Sequence, residues 1–109
     1  MPTTYKVLGQ VAPSATTATT LDTVPSATQA VVSTISVCNR AATAATYRIA
    51  IRPGGATLAN EHYIAYDAPI AANDSAFITV GITLGAADVI TVYASTANLS
   101  FNAFGSEIS

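Results

Sequence analysis

The sequence predicts an all-β fold, an antiparallel β-sandwich of about eight strands of jelly-roll or Greek-key type. Three observations predict it. The stretch Gln29–Arg52, QAVVSTISVCNRAATAATYRIAIR, alternates with a period of two on either side of a loop of small residues. Other short runs rich in Val, Ile, Thr, Tyr and Phe are bounded by Gly, Pro, Asn or Asp. No segment spaces its apolar residues as a helix does, and Ala41–Ala45 is too short to nucleate one. The chain, residues 1–109, reads as a single domain. A chain of this size buries roughly 65% of its unfolded surface, which is enough for a core without disulfides or metals.

The central pair sets the pattern. On Gln29–Asn39, Val31, Ser33, Ile35 and Val37 point one way, and Val32, Thr34, Ser36 and Cys38 the other. On Ala45–Arg52, Tyr47, Ile49 and Ile51 oppose Arg48, Ala50 and Arg52. Upstream, Thr4–Val11 is a strand, and Pro13 breaks it because proline has no N–H for a ladder. Thr16–Val24 is a polar strand suited to an edge, closed by the turn Pro25-Ser26-Ala27. Pro53-Gly54-Gly55 is a turn, and Leu58–Asn60 forms a short bridge. Glu61–Asp67 is a strand with His62, Ile64 and Tyr66 on one face and Glu61, Tyr63 and Ala65 on the other. Ser75–Leu84 is one strand, with Phe77, Thr79 and Gly81 against Ile78, Val80 and Ile82. Asp88–Ser95 and Leu99–Phe104 are the last strands, joined by a short hairpin loop, and Gly105–Ser109 is a tail.

Composition narrows the function classes. Charged residues are 9% of the chain, against about 25% in an average domain. The surface must therefore be covered by Thr, Ser, Ala and Asn. So few charges disfavour a lone dispersed monomer and favour a subunit packed against copies or partners. Lys6, Arg40, Arg48 and Arg52 are the four cations, too few to neutralise a run of phosphates, so nucleic acid is not an expected partner. Cys38 is the single cysteine and reads as a small buried apolar side chain. MPTTYKVLGQ has no secretory pattern, and no apolar run approaches the about 20 residues that span a bilayer. The chain is expected to be made in the cytoplasm and to have no membrane partner.

The chemistry-bearing residues are sparse. His62, between Glu61 and Tyr63, has the position of a possible general base, but no motif supplies a nucleophile and no G-x-S-x-G elbow exists. A strand histidine at a contact or surface is the expectation. Asp67, Asp74 and Asp88 sit at predicted strand ends, where Asp makes turn hydrogen bonds. No D-x-D-x-D-G calcium loop occurs, and one Cys with one His does not make a zinc site. No cofactor, metal or catalytic residue is expected. The five tyrosines suit cores and interfaces; they could also line a carbohydrate site. Arg40, Arg48 and Arg52 are expected to meet carboxylates, within the chain or across a contact. The candidate interface residues are Tyr5, Arg48, Arg52, Tyr63, Tyr93 and Phe104.

The phrases VVSTISVCNRAATAATYRIAIRPGG, HYIAYDAPIAAND and GITLGAADVITVYAS resemble small virion structural proteins of tailed bacteriophages, cyanophage-like ones in particular. The likeness runs from TTYKVLGQ to Phe104-Gly105-Ser106-Glu107 and is one of overall texture. It implies a non-enzymatic role in the particle and brings no active-site residues. Two placements follow from it: a capsid decoration or cement subunit on the major capsid protein, or a tail, collar or baseplate subunit. Decoration suits the short chain without a long arm. A carbohydrate- or receptor-binding module of a fibre is a third reading, and a homo-oligomer is expected for each.

Overall fold

The computed structural model describes residues 2–79 and 81–109. They form nine strands in two antiparallel sheets. The strands are β1 (Thr3–Val11), β2 (Thr19–Thr23), β3 (Gln29–Asn39), β4 (Ala45–Arg52), β5 (Tyr63–Ile70), β6 (Ser75–Ile78), β7 (Ile82–Leu84), β8 (Val89–Ala94) and β9 (Leu99–Ile108). The first sheet runs β1-β9-β3-β6, with β7 also on β3; the second runs β2-β8-β4-β5. Only β4 to β5 and β6 to β7 stay within one sheet, so most connections cross between the two layers.

Between the layers lies one apolar core. Val32, Ile35, Val37, Phe101 and Ala103 enter it from the first sheet, and Leu21, Tyr47, Ile49, Ile90 and Val92 from the second. Burying each large aliphatic side chain contributes about 1.5–3 kcal/mol. Tyr47 sets its ring edge against Phe101, with centroids 6.3 Å apart and planes at 72°. Burial raises the Tyr47 phenol pKa. Thr28, Asn39 and Thr91 are the buried polar residues, and Asn39 is the deepest of them. The Asn39 amide donates to the Thr43 and Ala71 carbonyls, and its side-chain oxygen accepts from Ala41 N–H.

Bulges redirect several strands from the strict alternation. In β3, Val32 pairs with Gly105 but Thr34 pairs with Phe104, so the register slips at Ser33. Val32 therefore joins Ile35 and Val37 in the core, while Val31 lies on the outer face. The predicted strand Ser75–Leu84 is split into β6 and β7, which pair with opposite halves of β3 on either side of that slip. Gly81, at φ 62°, lies in the break. Of the two faces predicted for that strand, the Val80 position lies outside the described residues. The predicted tail is instead the continuation of β9, opposite both β1 and β3. Gly105 permits this, because a Cβ there would collide with the Val31 carbonyl. Cys38 is half-buried rather than buried. Thr16, Ala27, Asn73 and Ala87 turn the chain at loops with φ of 53°, 54°, 54° and 68°. Among the described residues no helix is long and apolar enough to cross a membrane.

Candidate functional site

Arg48 points outward from β4, and β5 is shaped around it. The β4–β5 ladder slips twice: Tyr47 pairs with Ala68, Ile49 with Ala65, and Ala50 with Tyr63. β5 thus holds two more residues than β4 over this stretch. The first slip sets Tyr66 and Asp67 together opposite Arg48. Asp67 adopts φ 50°, the left-handed region that Asp enters more easily than most residues. Such bulges re-aim side chains, which strict pleating would send to opposite faces.

The result is a clasp. Arg48 Nε donates to Asp67 Oδ1 at 2.7 Å, and its Nη2 donates to Oδ2 at 3.3 Å. The guanidinium carbon lies 4.1 Å from the Tyr66 ring centre and 4.3 Å from that of Tyr93. One cation is therefore held between two ring faces and by a two-pronged carboxylate. Hydrogen bonding to Asp67 pushes the Arg48 pKa above its ordinary value. Tyr63 meets Tyr66 edge to face, with centroids 4.9 Å apart. Asn60, Tyr63 and Tyr66 line an open hollow of about 370 Å³ beside the clasp.

The outer face of the first sheet is different in kind. Tyr5 is 85% exposed, Phe77 69%, Val7 46% and Phe104 37%. Val7 lies opposite Phe104, and Tyr5 opposite Ser106. Tyr5 and Phe104, with Val31 and Ser33, border a hollow of about 560 Å³. Thr3–Val7 are exposed throughout, and burial in β1 begins only at Leu8. Only the β1 edge is open here, because Ala30, two strands in and opposite Glu107, is fully buried. On that edge Lys6 Nζ reaches Glu107 Oε1 at 3.1 Å. Nearby, Asp22 Oδ2 is buried without a hydrogen-bond partner. Desolvation first, and the Glu107 charge second, raise the Asp22 pKa.

The residues predicted for an interface divide between these two surfaces. Tyr5 and Phe104 lie on the first sheet; Arg48, Tyr63 and Tyr93 gather on the second. Tyr63 and Tyr66, expected on opposite faces, touch because of the β5 bulges. Among the described residues Arg52 meets no carboxylate. It donates to Thr91 Oγ1 and to the Ala56 carbonyl, both at 3.1 Å, and so ties the loop after β4 onto the sheet. Arg40 likewise donates to the Ala97 carbonyl at 3.0 Å. Of the arginines expected to meet carboxylates, Arg48 does so within the chain. Asp74 and Asp88 do accept turn hydrogen bonds, from Ser75 N–H and from Gly54 and Gly85 N–H. Asp67 does not end its strand. An aspartate inside a β run, where Asp is depleted, was the available sign of the bulge. Tyr66 and Phe77 were missed as surface residues because alternation alone does not tell an outer face from an inner one.

His62 sits in a 3-10 turn, Asn60–His62, rather than in a strand. Its Nδ1 accepts from Ala59 N–H at 3.0 Å, while its own backbone N–H donates to the Ala59 carbonyl. The ring closes a turn. Among the described residues no three His, Cys, Asp or Glu side chains converge as a metal site. Comparison with protein-family models, with curated proteins and with solved structures finds no match.

Proposed function

We propose that this chain is a non-enzymatic structural subunit of a tailed-bacteriophage virion, a decoration or cement protein seated on the major capsid protein and assembled in the host cytoplasm. The observation that carries the reading is the outer face of the first sheet. Tyr5, Val7, Phe77 and Phe104 are exposed there, on a chain with 9% charged residues. A cluster of exposed apolar side chains such as Tyr5, Val7 and Phe104 marks a protein contact more often than it marks catalysis. The strand order supports the jelly-roll form of the sandwich. β1-β9-β3-β6 and β2-β8-β4-β5 are two four-position sheets fed alternately by one chain, with β6 and β7 sharing a position. Capsid proteins use that architecture, though a fold alone does not assign a role.

A map of the intact particle tests the placement. Density for this subunit over the shell supports decoration. Density along the tail axis replaces it with the tail, collar or baseplate reading, and absence from the particle removes the virion role.

The second sheet favours a second reading, a carbohydrate- or receptor-binding module. Such a module needs exposed tyrosines with Asp or Asn beside them; Tyr66 is exposed and lines the hollow with Tyr63 and Asn60. Chemical-shift titration with neutral oligosaccharides tests it. Shifts confined to Asn60, Tyr63 and Tyr66, and lost in Tyr63→Ala, support it; an unmoved spectrum removes it.

A further inference from the structure

β1 is the edge of the first sheet, paired with β9 on one side only among the described residues. From Thr3 to Val7 it is regular, and all five residues are exposed. A bare edge offers a row of free N–H and C=O groups to another strand. Monomeric proteins blunt such edges with proline, with a bulge or with a charge. Here Pro2 lies before the strand and the register slip comes after Val7. The one charged side chain, Lys6, is already engaged by Glu107 at 3.1 Å. Proline and bulge thus fall outside Thr3–Val7, and the charge of Lys6 is partnered rather than free.

We propose that this edge is filled by β1 of a second copy of the chain, running antiparallel about a two-fold axis at Tyr5. The sequence of the edge selects a copy of itself. A register centred on Tyr5 uses the whole regular stretch, pairing Thr3 with the partner's Val7 and Thr4 with the partner's Lys6. Each Lys6 directly faces an uncharged threonine, and the two lysines, diagonal across the axis, are each held by their own chain's Glu107. The most exposed aromatic ring of the chain, Tyr5 at 85%, then faces its own copy across the ladder. Cross-strand aromatic pairs of this kind are favourable. Residues directly opposite in an antiparallel pair point to the same side. The two hollows between Tyr5 and Phe104 therefore open on one side of a continuous sheet, and the dimer brings the two Tyr5 rings side by side between them. The inference rests on the reading of the chain as an assembly component, and not on its placement in a virion.

Sedimentation equilibrium and directed cross-linking test it. The natural chain is expected at twice its chain mass. In a Cys38→Ser background, Tyr5→Cys forms an intermolecular disulfide on mild oxidation, while Tyr66→Cys on the opposite sheet does not. Tyr5→Glu sets two carboxylates face to face and raises the dimer Kd by about tenfold or more. Its circular dichroism stays unchanged, because the side chain lies outside the core. A monomer at the highest concentration reached overturns the proposal. So does a dimer that Tyr5→Glu leaves intact, or one that cross-links through Tyr66→Cys instead. Absence of the subunit from an intact particle would remove the virion role and leave these measurements as they stand.

Discussion

Asp67 is subject to two opposing effects. Its carboxylate grips Arg48, while its backbone holds φ 50°, which is unfavourable for a residue with a Cβ by about 1–2 kcal/mol. Substitutions separate the two. Asp67→Ala loses the grip and keeps the unfavourable backbone; Asp67→Gly loses the grip and relieves it. We expect Asp67→Gly to be the more stable of the pair by about 1 kcal/mol in urea unfolding, the reverse of the usual order in strands. Asp22 shows the electrostatic counterpart. Burial, then Glu107, raises its folded pKa, so the folded chain holds that proton more tightly than the unfolded one. Ionised Asp22 therefore destabilises the fold at neutral pH. The penalty fades as pH falls through the raised value and is gone below the unfolded one. Asp22→Asn should unfold at higher urea than the natural chain at about pH 7, with the gap closing by about pH 3. A gap that widens toward acid would contradict the assigned sign.

At the scale of elements, close approach between strands decides what the sequence can hold. Gly9 lies where β1 passes β2, and a Cβ there would strike the Leu21 carbonyl. Gly85, in a turn, has only the Asp88 carboxylate near, at 3.8 Å. Gly9→Ala should destabilise by about 1–3 kcal/mol, while Gly85→Ala stays within about 0.5 kcal/mol, by urea midpoint. The strands themselves were readable. Gln29–Asn39 and Ala45–Arg52 have their predicted ends, because alternation there is long and the flanking loop is polar or small. Their facing was less readable. A bulge leaves no mark in the alternation of Val31 to Cys38, yet the slip at Ser33 exchanges the roles of Val31 and Val32. Gly105 reads as a breaker in sequence, whereas packing against Val31 demands it inside β9. The clasp was half legible. Arg48, Tyr63 and Tyr93 stood out by residue type, but Tyr66 and Asp67 join them only through bulges that depend on the neighbouring strand.

For the whole molecule, the scarcity of charge has a measurable consequence. Its net charge is −2, and the side chains exposed beside the β1 edge, Tyr5, Val7 and Phe104, carry no charge. Association through that edge should be insensitive to screening. Sedimentation should show the same oligomer at low salt and at about 1 M, where the Debye length is about 3 Å. Dissociation at high salt would instead mark ion pairs as the adhesive. The extents of 45 × 27 × 20 Å describe an elongated body whose strands are joined by short loops. Four of those loops, at Thr16, Ala27, Asn73 and Ala87, hold a residue with a Cβ in a backbone shape that glycine occupies freely. Exchanging them for glycine would ease steric tension at exposed tips alone. A builder wanting a hardier display scaffold could retune those corners and leave every contact surface as it is.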